Sequence, residues 1–243
     1  MKFLCVHSLT CIGSVGLRPY LDVLGADCLP LPSVVLSGPG NMPGVKRLPL
    51  PVGPLLDSAL AALSADGESV SVVVGYLADA GQIPSIAAAI ATHRSTIATV
   101  VVDPICGDQG RAYVGEDLIR AWPVLLELAD WALPNLTEVE LLTGKTGDSA
   151  VRTFRERWPQ TRLIVTGGLA GFEVEIRLEG PGLSVRHRHE RAPVHVSGTG
   201  DRFAALWLRN VWSLGHSPVS AMREAGNEVA QSLGRTARIR SGN

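Results

Sequence analysis

The chain lacks a surplus of positive charge, a long apolar run and any closely paired cysteines. Lysine and arginine number 22 against 23 aspartates and glutamates, a formal net charge of -1, which provides no basic field for a nucleic-acid backbone. The arginines near the C-terminus are scattered over helical positions rather than stacked in a block, so nucleic acid is not an expected partner. The opening apolar stretch stops after Phe3-Leu4-Cys5-Val6, and no later run approaches the length of a membrane span. The expectation is a cytoplasmic protein with no membrane partner. The four cysteines, Cys5, Cys11, Cys28 and Cys106, form no C-x-x-C pair, which argues against a zinc site or a disulfide framework and for reduced, partly buried thiols. Internal repeats and low-complexity tracts are absent as well.

What is present is an alternation of short apolar runs with longer segments of helical period. The 243 residues are enough for one full core, and a single domain over 1–243 is expected. Strand candidates are Phe3–His7, Cys28–Leu31, Ser71–Tyr76, Ala98–Asp103, Trp131–Leu133 and Arg162–Thr166. Helices are expected from Val15 to Leu24 and near 84–93, 116–129, 137–143, 149–158, 202–214 and 218–233. The uniformly apolar Val72-Val73-Val74 and Val100-Val101-Val102 predict a parallel sheet covered by helices on both faces.

Two segments break this rhythm. Residues 36–54, rich in Gly and Pro, read as a long loop, the candidate substrate flap. Residues 172–190 alternate around Gly180-Pro181-Gly182 and predict a hairpin with one wet face. Its His187 and His189 lack a third metal ligand in sequence and read as part of that face. Residues 235–243 read as a frayed basic tail.

The chemistry concentrates in Ser197-Gly198-Thr199-Gly200-Asp201, a small-residue turn running into the apolar stretch Arg202–Leu208. Glycines allow close backbone approach, and the free N–H groups and dipole of a following helix stabilise an anion. The amides of Gly198, Thr199 and Gly200 thus form a candidate phosphate cradle. Asp201 at its rim could accept a proton from an alcohol attacking the phosphorus; it could also be a plain N-cap. Other strand ends carry polar groups where an open parallel sheet places its ligand: His7-Ser8, Asp103-Pro104, Pro134–Glu138 and Thr166-Gly167-Gly168. Asn135 and Glu138 have the spacing of a capping box, the structural alternative for that pair.

Taken in order, these motifs resemble the pyridoxal kinases of the ribokinase-like superfamily over nearly the whole chain. Ser8-Leu9-Thr10-Cys11-Ile12-Gly13-Ser14-Val15-Gly16 is similar to the family's opening Ser-His-Val-x-x-Gly-x-x-Gly. Leu24–Ser37, Gly75-Tyr76-Leu77-Ala78-Asp79, Asp103-Pro104-Ile105-Cys106-Gly107-Asp108, Pro134–Glu138 and Gly198–Ala205 complete the set. The resemblance implies a three-layer α/β/α sandwich with a mostly parallel central sheet and little or no separate lid. It implies ATP-dependent phosphorylation of the 5′-hydroxymethyl group of pyridoxal or a related B6 vitamer, in a homodimer. Asp201 would be the base. Ser8, Gly40, Asn41 and Tyr76 would meet the vitamer, and Asn135, Thr166 and Gly168, with Asp103 and Glu138, the nucleotide. Asp103, Asp108 and Glu138 would face Mg2+, with K+ or another monovalent cation near the phosphates.

The chain also departs from the family pattern. Ser37-Gly38-Pro39-Gly40-Asn41 replaces the usual Ser-Asn-His-Thr-Gly, Leu9 replaces a His, and Thr166 stands where relatives often have Lys. The segment between Thr166 and the glycine turn is short. Two further readings stay open: a hydroxymethylpyrimidine kinase of the same superfamily, which usually has Cys at the position of Asp201, and a relative that binds vitamer or nucleotide without turnover.

Overall fold

A computed structural model describes residues 1–40, 42–170, 173–191 and 196–241, with the side chains of all of these but 170 and 235–241. The chain runs through β1 (Lys2–Thr10), α1 (Leu17–Leu24), β2 (Cys28–Leu36), β3 (Arg47–Pro49), α2 (Val52–Ala65), β4 (Val70–Val74), α3 (Gln82–Thr92) and β5 (Ile97–Val102). There follow β6 (Gly107–Asp108), β7 (Arg111–Ala112), α4 (Glu116–Ala121), α5 (Pro123–Leu126), β8 (Trp131–Ala132), α6 (Leu136–Thr143) and α7 (Gly147–Arg157). The last elements are β9 (Arg162–Ala170), β10 (Glu173–Gly180), β11 (Leu183–Glu190), α8 (Thr199–Leu208) and α9 (Pro218–Ser241).

Nine strands form one sheet in the order β11-β10-β9-β8-β5-β4-β1-β2-β3. The six from β9 to β2 are parallel, and β10, β11 and β3 add antiparallel edges. Because side chains alternate across a strand, the apolar runs divide between two cores. Leu4, Val6, Val72, Val74, Val100 and Val102 pack on one face with α2, α3 and α5 to α7. Phe3, Cys5, Val73 and Val101 pack on the other with α1, α8 and α9. This is the three-layer α/β/α sandwich, and the strands' carboxyl ends, from Ser8 through Asp103 to Thr166, rise along one edge of it.

Several boundaries differ from the sequence reading. Residues 36–54 are not loop throughout. Arg47–Pro49 pairs antiparallel with β2, and α2 begins at Val52. Proline masked both features, yet an edge strand tolerates Pro49, and Pro54 sits in the first helical turn where its missing N–H is not needed. No separate lid is built from this stretch. The helix expected over 116–129 divides into α4 and α5 around Trp122, with Pro123 opening the second. Helix α1 starts at Leu17 rather than Val15, after a Gly16 whose φ is 67°. The expected frayed tail is helical backbone as far as Ser241, in a stretch that no proline interrupts. The hairpin falls where expected, over β10 and β11. His187 and His189 are half-buried rather than solvated, because their rings lie against α9, near Gly226, with His187 Nε2 3.0 Å from Asn227 Oδ1.

The core beneath the glycine turn centres on Trp207, fully buried in α8 and edge-on to Trp131 at 4.7 Å and Trp212 at 5.2 Å. Its indole N–H donates to Pro218 O at 3.3 Å. Trp207→Ala is expected to lower unfolding stability by about 3–5 kcal/mol, read as a lower midpoint in urea.

Candidate active site

Two glycines bring the start of α8 against the turn that follows β1. Gly16 has φ 67°, and a Cβ there would stand 2.1 Å from Ser8 O. Gly198, the N-cap of α8, has φ 85°, and a Cβ there would stand 2.0 Å from Ser14 O. Only a residue without a side chain fits either position. The approach lets the Gly16 N–H donate to Asp201 Oδ2 at 2.7 Å. Asp201 lies in the first turn of α8, is buried, and accepts from a distant segment rather than capping its own helix, so the N-cap alternative does not describe it.

The N-terminus of α8 carries no capping side chain. The first amide to bond back into the helix is Arg202 N–H, to Gly198 O, which leaves the amides of Thr199, Gly200 and Asp201 ahead of the ladder. Gly200 is exposed, with open space where a Cβ would be. Backbone N–H groups, a helix dipole and access from solvent therefore coincide there.

Asp103 follows β5 and Glu138 lies in the first turn of α6; both are buried. Burial and then repulsion from Glu138 and Asp201 push the Asp103 carboxyl well above the usual carboxylate range. Burial pushes Glu138 up to about 8, against the opposing pull of backbone hydrogen bonds from Asn135, Cys106 and Gly107. Among the described residues, no basic side chain offsets either acid. The capping box is real: Glu138 N–H donates to Asn135 Oδ1 at 3.0 Å, and Asn135 N–H donates to Glu138 Oε2 at 2.8 Å. Asn135 Nδ2 donates to Gly107 O at 2.8 Å, so both ends of that amide are already engaged.

Asp108 is exposed on the β6–β7 turn, where its charge raises Glu138 further. Thr166 is half-buried and joined to Pro134 O through its N–H at 3.0 Å, which places it beside Asn135. Gly168 is buried against Glu175 on β10. Ser8 is buried between His7 and Gly16. Tyr76 is turned to Arg47 of β3, whose guanidinium bonds its hydroxyl and lies over its ring. The pair lines a cavity of about 180 Å³ with Asp79, Tyr113 and Asp117, and none of Asp103, Glu138 and Asp201 is in that wall. Gly40 is exposed with open space around it, and Asn41 lies outside the described residues. The sequence alone places His7 at a strand end facing the site and Gly75 at the head of a family-like motif without giving either a role, and Arg47 lies in a stretch that reads as loop.

No group of three or more His, Cys, Asp or Glu side chains among the described residues could by itself hold a metal ion. Mg2+ binds through one or two carboxylates with water and substrate phosphates, and the buried Asp103 and Glu138, held by no basic side chain among the described residues, suit that mode. Between its ordinary value near 4.5 and about 8, Glu138 keeps its proton in the folded chain while the unfolded chain has released it. Stability therefore falls as pH rises through that window. Metal-free protein is expected to lose on the order of a few kcal/mol from about pH 5 to pH 8 through this group, and Glu138→Gln to flatten the dependence in chemical denaturation.

A sequence model of the family described as phosphomethylpyrimidine kinase matches residues 39–243. A pyridoxal kinase of Arabidopsis thaliana is 27% identical over 226 residues, covering 85% of this chain and 73% of its own. The crystal structure of pyridoxal kinase from Lactobacillus plantarum superposes with a TM-score of 0.84 at 22% identity, covering 98% of this chain and 90% of that one. Pyridoxal kinase from Leishmania donovani in complex with ADP and pyridoxamine superposes with a TM-score of 0.80 at 21% identity, covering 95% and 88%. The two superpositions establish the ribokinase-like fold.

Proposed function

Because the chain belongs to the phosphomethylpyrimidine kinase family, and is therefore a phosphotransferase, we propose that it transfers the γ-phosphoryl group of ATP to the 5′-hydroxymethyl group of pyridoxal or a related B6 vitamer. The observation that carries this reading is the buried Asp201 carboxylate, fixed by the Gly16 amide at the mouth of an uncapped helix N-terminus. The names of the curated relatives supply the substrate class.

In this reading the vitamer hydroxyl oxygen attacks the γ-phosphorus, its proton passes to Asp201, and ADP leaves. The amides of Thr199 and Gly200, with the Gly198 turn behind them, hold the transferring oxygens in a pre-oriented setting. Asp103 and Glu138 would hold Mg2+, with Asp108 at the rim; the bound ion would neutralise phosphate charge and relieve the repulsion between the two acids. Thr166, Asn135 and Gly168 flank the nucleotide side. Ser8 and Tyr76, with Gly40 and Asn41 of the flap, flank the vitamer side. A neutral hydroxyl at Thr166 holds phosphate less strongly than a lysine would. The family resemblance supports a homodimer, a monovalent cation beside the phosphates and a cytoplasmic setting; no described helix is long and apolar enough to cross a membrane.

Asp201→Asn removes the proton acceptor while keeping the side chain's shape. Turnover with Mg-ATP and pyridoxal is expected to fall by about 10²–10⁴-fold, with vitamer and nucleotide binding retained in titration. A panel of pyridoxal, pyridoxine, pyridoxamine and hydroxymethylpyrimidine fixes the acceptor. Turnover of the pyrimidine alone would move the assignment to that kinase, and binding of both ligands without turnover would make the chain a non-catalytic relative.

A further inference from the structure

His7 is 2% exposed, near the carboxyl end of β1. Its Nδ1 accepts the Ser8 N–H at 2.8 Å. A ring nitrogen that accepts an N–H carries no proton, which assigns the ring proton to Nε2. Nε2 stands 3.1 Å from Asp201 Oδ1. It has no aligned hydrogen-bond acceptor, so it is an orphaned donor inside the protein, close to the carboxylate but not yet directed at it. A carboxylate turns easily about its last torsion, and such contacts commonly tighten when substrate binds.

The surrounding chain is cut to admit this ring. A Cβ on Gly75 would lie 2.1 Å from His7 Cδ2 and 2.4 Å from Nε2, so the glycine after β4 leaves the space that the imidazole occupies. The Tyr20 ring packs on it at 5.8 Å between centroids. Asp201 is thus approached at both oxygens, Oδ2 by the Gly16 amide and Oδ1 by His7.

We propose that His7 is a positioning residue for phosphoryl transfer, its Nε2–H holding Asp201 Oδ1 so that the carboxylate meets the substrate alcohol in one fixed orientation. This rests on Asp201 being the proton acceptor. The role of His7 is to orient Asp201, with Nδ1 engaged by the Ser8 amide.

Three variants test it, each checked by thermal melting and by direct titration of ATP and pyridoxal. His7→Leu, which fills the space without a donor, is expected to lower kcat about 10–100-fold while KM for both substrates stays within about twofold, the signature of a misplaced reacting group. His7→Gln can present an amide N–H where Nε2 was and is expected to restore kcat to within about fivefold of the parent. Gly75→Ala, which displaces the ring and removes no donor, is expected to lower kcat as His7→Leu does; it carries the test if His7→Leu does not fold. Parent-like kcat in the folded donorless or displaced variant, or a His7→Gln no better than His7→Leu, would overturn the proposal. Failure of the underlying reading looks different: Asp201→Asn would then keep the parent's turnover whatever the His7 variants do.

Discussion

The site depends on one hydrogen bond, from the Gly16 amide to Asp201 Oδ2, which joins residues 185 positions apart. It closes the turn after the first strand onto the helix that the glycine turn begins. Neither partner could reach the other if Gly16 or Gly198 carried a side chain, because each would collide with a backbone carbonyl. The constraint is steric before it is chemical. Two residues without side chains let two backbones approach, and the approach leaves a carboxylate buried where a helix presents unbonded amides. The large apolar residues of α8, Trp207 foremost, hold the helix in that position from the opposite side.

Burying Asp103, Glu138 and Asp201 together has a cost that the protein alone does not fully offset. Asp103 and Glu138 are driven toward their protonated forms, and backbone amides are the main compensation at Glu138. A structural carboxyl could be replaced by a neutral group with little loss, whereas a site for a cation and phosphates has a use for two buried acids without a basic partner. Glu138 is also held structurally, since the same carboxylate closes the capping box of α6 and accepts the amide of Cys106.

The fold was legible because its strands are uniformly apolar: Val72–Val74 and Val100–Val102 can only be central and parallel, and the structure divides each between two cores. Proline hid β3 and α2, because the local rule that proline breaks structure fails at an edge strand and in a first helical turn. Within the site, the glycine turn and the acids at strand ends could be read from residue type and spacing. What could not be read was pairing across the fold. That Gly16 serves Asp201, that Arg47 holds Tyr76 and that Gly75 clears space for His7 are consequences of the strand order, which no local pattern contains.

The most direct test of the account follows the phosphorus. Protein incubated with Mg-ATP and pyridoxal, observed by phosphorus NMR, should convert the γ-phosphate signal into equal amounts of ADP and a pyridoxal 5′-phosphate monoester. Release of inorganic phosphate without the monoester, or an unchanged ATP signal with both ligands bound, would contradict it.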